Sequence, residues 1–216
     1  MKIFFSYSNE DRWHAWVIKD ALEKYGLNVF MAHNDIEPSE EWRERIFTEL
    51  KECHVFLPFL TSNFDKSAWT DQETGIAYGL EKLIIPLKIN VDPHGFIAHF
   101  QAQKIDIDSK SNIERACQKL VKIIDSKPKL SCLFREDLIN KFRDSGSFDE
   151  AGNNARLLFL FENYTSKHIT KIFKYSIQNS QIYSSYNAVR TLRKLFIRCK
   201  KINKKLLQDF EKKAIV

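Results

Sequence analysis

Residues 1–124 alternate short strand-like runs with helix-like runs, and that alternation narrows the fold more than any other feature of the sequence. Strands separated by helical crossovers build a parallel sheet covered by helices. Five such units can be counted. The apolar run Ile3 to Phe5 leads through Ser6, Tyr7 and Ser8 to a helical stripe of Ala15, Ile18, Leu22 and Tyr25, which stops at Gly26, a natural helix terminator. A second strand, Leu27 to Met31, is followed by a polar stretch, then Pro38 and Ser39 as a helix start, then Trp42, Ile46, Leu50 and Cys53 at helical spacing. Val55 to Leu60 is continuously apolar, as expected of a central strand buried on both faces. A helix near Ala68 to Leu80 precedes a fourth strand, Leu83 to Ile89, whose Pro86 calls for an edge or bulged position. After the turn Asp92-Pro93-His94-Gly95, the fifth strand is expected near Lys104 to Ile107. Ser111-x-x-Glu114 reads as the capping box of a last helix, Ile113 to Ile124.

At Asp125 the alternation ends. Ser126-Lys127-Pro128-Lys129 reads as a linker, and helical periodicity runs through the rest: Phe134, Leu138 and Phe142; a Ser147-x-x-Glu150 capping box with Ala151, Ala155 and Leu158; Ile169, Ile172 and Phe173; Val189, Leu192 and Phe196; Leu206 and Phe210. The predicted organisation is therefore an α/β domain over 1–125 and a small all-α domain over 126–216, its helix pairs resembling a short HEAT-like stack without a clear internal repeat.

Charge divides the same way. Residues 125–216 hold 19 Lys/Arg and 9 Asp/Glu, a net +10, whereas residues 1–124 hold 15 and 19, a net −4. A basic helical half could meet nucleic acid or an acidic protein surface, although the cluster from Arg190 to Lys205 has little aromatic interleaving and no groove-reading motif, so nucleic acid is the weaker expectation. No stretch approaches the roughly 20 apolar residues that span a bilayer, so a cytoplasmic location is the default. The four cysteines are scattered and read as small buried hydrophobes. The six histidines are dispersed, and His94 and His99 lack the spacing and carboxylate partner of a helical zinc site, so no metal is expected.

In an open parallel sheet, ligands bind beyond the carboxyl ends of the strands, where the loops Ser6 to Asp11, Met31 to Pro38 and Thr61 to Trp69 would share one rim. Three motifs lie there in order: Phe4-Phe5-Ser6-Tyr7-Ser8; Val29-Phe30 running into Ala32-His33-Asn34-Asp35-Ile36-Glu37-Pro38; and Ser67-Ala68-Trp69-x-x-x-Glu73. Together they closely resemble bacterial TIR (Toll/interleukin-1 receptor) domains, over roughly residues 1–124. The resemblance implies a flavodoxin-like sheet of five parallel strands. It also implies a self-association loop at Met31 to Pro38, and thus a homo-oligomer. Many bacterial and plant members, and one animal axonal member, hydrolyse or rearrange NAD⁺ with a glutamate of the third helix, whereas metazoan receptor-adaptor members are inactive scaffolds.

That resemblance assigns Glu73 as the catalytic carboxylate. Neither the GxGxxG fingerprint nor the phosphate-binding loop is present, and with six glycines in the chain NAD⁺ is expected as a substrate rather than a bound cofactor. Cleaving the nicotinamide–ribose bond expels a neutral base from a cationic pyridinium, so no general acid is required. One carboxylate can stabilise the oxocarbenium-like charge. Trp69, one turn before Glu73, would offer an aromatic plate to the cationic ring. Ser6, Tyr7 and Ser8 would line the pocket floor, with His33 and Asp35 approaching from the second loop.

Structural readings compete with each of these. Thr70-x-x-Glu73 also fits a capping box, with Ser67 an equally good cap one step earlier. Serine and aspartate after strands are ordinary turn residues. Trp69 could be packing alone, and Trp42, opening a helical stripe, reads as core. The expected activity is NAD⁺ glycohydrolase or ADP-ribosyl cyclase, in bacterial anti-phage defence by family resemblance. The alternative is a non-catalytic scaffold, and the helical domain is expected to sense an activating partner.

Overall fold

A computed structural model describes residues 1–32, 41–162, 164–199 and 204–214. The chain forms two compact units, 1–130 and 131–216.

In the first unit the elements run β1 (Lys2–Ser6), α1 (Arg12–Glu23), β2 (Asn28–Phe30), α2 (Trp42–Glu52), β3 (Val55–Leu60), α3 (Ala68–Gly79), β4 (Leu83–Ile84), β5 (Leu87–Lys88), β6 (Gln103–Lys104) and α4 (Lys110–Asp125). Single 3₁₀ turns at Asn9–Asp11, Phe64–Lys66 and Gly95–Ile97 punctuate the loops. Every strand pairing is parallel, in the order β2-β1-β3-β5-β6 with β4 also on β3. Counting β4 and β5 as one interrupted strand gives the doubly wound 2-1-3-4-5 order, whose direction of winding reverses between β1 and β3.

The interruption has a proline on each side. Ile85 N donates to Phe56 O and Ile89 N to Leu60 O, so alternate residues of β3 face this ladder, and Pro58, between them, faces it without an N–H to give. Opposite lies Pro86, whose carbonyl accepts from Gln103 N on the other side. The ladder therefore pairs at Val55–Phe56, lapses, and resumes at Phe59–Leu60. Pro86 sits in an interior strand and is accommodated by this break, so of the edge and bulged positions expected for it the irregular interior one is found.

All six residues of β3 are buried. Phe4, Phe30 and Phe56 pack with Leu50 of α2, Cys53 at its C-terminal cap and Ala77 of α3 in one cluster. Phe5 and Phe59 meet each other at 5.9 Å between ring centroids, on the opposite pleat from Phe4 and Phe56. α1 packs against α4, and α2 against α3. Gly26 ends the first crossover at φ 83°, a conformation that costs a side chain bearing Cβ about 1 kcal/mol or more.

Three local expectations are corrected. α4 starts two residues earlier than the capping box proposed, because Ser109 accepts from Asn112 N and serves as its cap. The linker shrinks to Ser126 and Lys127, since Pro128 opens the next helix, where its missing N–H would be unpaired in any case. Two of the four cysteines are not buried: Cys53 and Cys117 are, whereas Cys132 is exposed and Cys199 partly so.

Helix α5 (Pro128–Arg143) begins in the first unit and ends in the second. The second unit continues with α6 (Phe148–Leu160), α7 (Ser166–Gln178), α8 (Ser180–Tyr183), α9 (Tyr186–Arg198) and α10 (Lys204–Lys213), with no strand among its described residues. Ser147 caps α6 by accepting from Glu150 N, as the sequence predicts, whereas the Glu150 carboxylate accepts from Gly146 N, one residue before the cap, instead of from the cap itself. Helices α6 and α9 run side by side and parallel: Ser185 Oγ donates to Phe148 O at their starts, and Arg198 donates to Phe161 O at their ends. Phe173, Phe196 and Phe210 form the aromatic centre, the first two stacked at 3.7 Å and the third edge-on to both.

Candidate active site

β1 delivers its last residue, Ser6, to the carboxyl end of the sheet, and α3 starts at the same rim. The register places Glu73 in the second turn of α3, facing inward: it is 6% exposed, and Ser6 Oγ donates to its Oε2 at 2.5 Å. Burial pushes the Glu73 carboxyl up to about 7, against the downward pull of the Ser6 hydrogen bond. A carboxyl group held out of water near neutrality is the kind of group enzymes place at a reacting centre, and no local structural task occupies it.

The capping alternative for Glu73 is not what forms. Ser67 is the N-cap by backbone geometry, and Thr70, already helical, donates its hydroxyl to Phe64 O and Ser67 O. Thr70 thus ties the start of α3 to the turn after β3, and the Glu73 carboxylate accepts from Ser6 instead of closing that cap.

Trp69 is 43% exposed at the rim and meets Trp42 of α2 edge to face, with ring centroids 4.3 Å apart and planes at 77°. Trp42 is therefore half exposed and part of the site's wall, not the core residue its helical spacing suggests. Its position at the first turn of α2 explains the difference: the stripe of Ile46, Leu50 and Cys53 enters the core only farther along.

Two cavities open here. One, of about 360 Å³, lies at the strand ends; its lining includes Tyr7, Ser8, Asn9, Lys66, Thr70 and Glu73. The other, of about 410 Å³, lies between α2 and α3 and includes Trp42, Ile46, Phe47, Gln72 and Glu73. Trp69 and Glu73 are the residues common to both.

Of the residues singled out from sequence, Ser6, Tyr7, Ser8, Trp69 and Glu73 come together at this rim. Tyr7 and Ser8 are buried and line the strand-end cavity, whereas Ser6 touches Glu73 directly. His33 and Asp35 lie outside the described residues. Sequence reasoning passed over Lys66, the cation of the strand-end cavity, although it sits in the loop assigned to the rim. It also passed over Asp11, which is buried and accepts from Thr61 Oγ1 at 2.5 Å and Asn63 Nδ2 at 2.9 Å. That carboxylate fastens the loop after β1 to the loop after β3. An SxxD spacing after the first strand was the available signal.

The TIR domain family pattern matches residues 3–121, more than half of the chain. The protein belongs to the TIR domain family. Among solved structures, it is similar to the TIR domain of the Toll-related receptor TRR-2 from Hydra magnipapillata: 22% identity over 62% of this chain and 96% of that one, at a TM-score of 0.42. It is also similar to BcmB, a CMP N-glycosidase of Clostridium botulinum: 18% identity over 56% of this chain and 99% of that one, at a TM-score of 0.40. Likenesses this loose say nothing about activity. No curated protein matches the chain. No described helix is long and apolar enough to cross a membrane.

Proposed function

We propose that this TIR domain cleaves the nicotinamide–ribose bond of NAD⁺, as a glycohydrolase or ADP-ribosyl cyclase, with Glu73 as the catalytic carboxylate. The observation that carries the reading is the buried Glu73 carboxyl beside Trp69, where two cavities meet. A scaffold has no use for a carboxyl group buried at such a place, since burial of an ionisable group costs stability.

The chemistry follows from the leaving group. As the bond from ribosyl C1′ to the pyridinium nitrogen breaks, its electron pair goes to that nitrogen and nicotinamide departs neutral. Positive charge builds on the ribosyl carbon, and the ionised Glu73 stabilises it in a site shielded from water. Water then adds at C1′ and loses one proton, giving ADP-ribose and H⁺; attack by an adenine nitrogen, without water, gives cyclic ADP-ribose and H⁺ instead. Lys66 offers a cation to the pyrophosphate in the strand-end cavity. Ser6 holds Glu73 in place and favours its ionised form. Tyr7 and Ser8 offer hydroxyls to the ribose, and His33 and Asp35 are assigned substrate contact on the family resemblance alone.

Self-association is common among TIR domains, and we assign this one a homo-oligomeric active form in cytoplasmic anti-phage defence. The basic helical unit is its partner-sensing element. Nicotinamide release from NAD⁺ by the purified protein, alone and at high concentration with a crowding agent, tests the activity. Release that survives Glu73→Gln would overturn the assignment. Removal of residues 131–216 should change the activity or its dependence on protein concentration, and identical behaviour without them would remove the sensing role.

A further inference from the structure

Two surface patches, one on each unit, complement each other in charge and in apolar content. The first lies on the outer strip of α3. Asp71, Gly75 and Tyr78 recur there at helical spacing, and a Cβ on Gly75 would meet nothing within 4 Å, so the helix backbone is bare between its neighbours on the strip. Phe96, from the 3₁₀ turn Gly95–Ile97, stacks on Tyr78 with ring centroids 5.3 Å apart and planes at 17°, yet Phe96 remains 67% exposed. Carboxylates edge these rings. Asp65 and Asp71 each stand 3.6 Å from a nitrogen of His94, Asp92 lies two residues before that histidine, and Glu81 donates its N–H to Tyr78 O. Two lysines close by in sequence are already engaged: Lys88 with Asp92, and Lys82 with the carbonyls of Lys51 and Cys53. The second patch lies on α6 and α9. A Cβ on Gly152 would stand 3.0 Å from that of Asn187, so the strip of α6 that continues through Arg156 and Leu160 runs beside the strip of α9 that continues through Arg190, Lys194 and Ile197. All five of these side chains are exposed, Ile197 by 85%. Arg156, Arg190 and Lys194 form no ion pair among the described residues, whereas Arg193 between them pairs with Glu211. Leu160 and Ile197 immediately precede Phe161 and Arg198, which are joined by a hydrogen bond, so both aliphatic residues sit at the same end of the helix pair.

We propose that the basic patch on α6 and α9 docks on the acidic aromatic patch along α3 of a second copy of this chain. The charge division of the sequence names that occupant: residues 125–216 carry +10 and residues 1–124 carry −4, so the chain supplies its own complement. Three unpaired cations meet a cluster of carboxylates, where guanidinium groups can form charge-assisted hydrogen bonds and also lie over the Tyr78 and Phe96 rings. Leu160 and Ile197 then cover the apolar edge of the same rings, and two exposed apolar areas leave water together. Nucleic acid would use the cations alone; it would leave the aliphatic pair unmatched and the acidic patch without a partner. The contact is heterologous. Each docked pair leaves one free patch of each kind, so further copies add head to tail. The inference does not depend on NAD⁺ cleavage, but the acidic patch lies on the helix that carries Trp69 and Glu73, so each addition bears on the element that holds the candidate site.

Sedimentation velocity on the full chain, from about 1 to about 200 µM in about 50 mM salt, tests the contact. The wild type should grow past a dimer as its concentration rises, and about 500 mM salt should weaken the association at least tenfold. Arg190→Glu combined with Lys194→Glu spoils the basic patch, and Phe96→Asp spoils the acidic one; all three side chains are exposed. Each variant alone should associate at least tenfold more weakly than the wild type. An equal mixture of the two should recover the wild-type affinity for a single pairing, because each variant keeps the patch the other has lost, and that recovery also shows that both are folded. A wild type that stays monomeric, variants that associate as the wild type does, or a mixture no tighter than its components would each overturn the proposal. So would a monomeric wild type that binds a short DNA duplex through Arg190 and Lys194, which would give the basic patch to nucleic acid. Glu73→Gln should leave every one of these association results unchanged, so failure of the NAD⁺ reading is seen separately, in nicotinamide release that does not depend on Glu73.

Discussion

Ser6 Oγ donates to Glu73 Oε2 at 2.5 Å and so joins the last residue of β1 to the second turn of α3. The bond acts on charge as well as position. Glu73 is pushed up to about 7 by burial, and the Ser6 hydroxyl opposes that push. Replacing Ser6 by Ala removes the opposing contribution, so the carboxyl ionises at higher pH. If the ionised form is the active one, the wild-type kcat/KM for NAD⁺ rises as pH passes through about 7. In Ser6→Ala the rise moves to higher pH, by about one unit for each factor of ten in relative carboxylate affinity. The measurement is kcat/KM for both proteins from pH 5.5 to 9, with the deficit of the variant shrinking toward the alkaline end. A uniform deficit at every pH would mean that Ser6 acts on geometry alone.

Glu73→Gln should reveal the same burial as a stability effect. The folded-state affinity for the proton exceeds that of the unfolded chain, whose glutamate titrates near 4.5. The native state thus keeps a proton that the unfolded state gives up between about pH 4.5 and 7, and wild-type stability falls as pH rises through that window. Gln has no charge to bury and still accepts from Ser6. The variant should gain on the wild type across the window, by up to about 3 kcal/mol above pH 7, read from urea unfolding at pH 4.5, 6 and 8. A difference that does not vary with pH would refute the buried-carboxyl account.

Trp69 and Trp42 should prove coupled. Their edge-to-face contact is at the surface, so Trp69→Ala should lower Tm only slightly while reducing kcat/KM for NAD⁺ by about 10- to 100-fold, equivalent to about 1.4–2.7 kcal/mol. Trp69→Phe, which keeps a ring, should recover part of that loss. In a double-mutant cycle on stability with Trp42→Ala, the coupling should be about 1 kcal/mol; none at all would mean the two rings stand apart in solution.

The sequence announced most element positions in both units because their signals are local. Strand runs, stop residues such as Gly26 and the capping serine at Ser147 all act within a few residues. What escaped depends on neighbours far along the chain. Pro86 left an edge and a bulged position open, and the choice of an interrupted interior strand rests on Pro58, 28 positions earlier, at the facing break in β3. Trp42 looked like core because helical spacing gives the side of a helix but not how far along it the core extends. Glu73 had a capping reading that the helix start at Ser67 removes, and its hydrogen bond goes instead to Ser6, 67 residues away, a partner no local pattern announces. Lys66 had no periodicity to mark it.

The helical unit offers a test that reports on it alone. Gly152 lies on α6 where a Cβ would stand 3.0 Å from Asn187 Cβ on α9, an approach only a residue without a side chain makes freely. In Gly152→Ala the better helix propensity, about 1 kcal/mol, opposes the crowding, so the net change should be small. Gly152→Leu cannot be absorbed: the side chain must part α6 from α9 and loosen the packing around Ala155, Leu158, Val189 and Leu192, at about 1–3 kcal/mol. All four tryptophans, Trp13, Trp16, Trp42 and Trp69, lie in the first unit, so their fluorescence follows the TIR domain, whereas far-UV circular dichroism follows the helices of both. In urea, Gly152→Leu should move a large part of the dichroism transition to lower denaturant and leave the fluorescence midpoint in place. If both midpoints move together, the units unfold as one cooperative body, and a signal received by the helices has a direct mechanical route to Glu73.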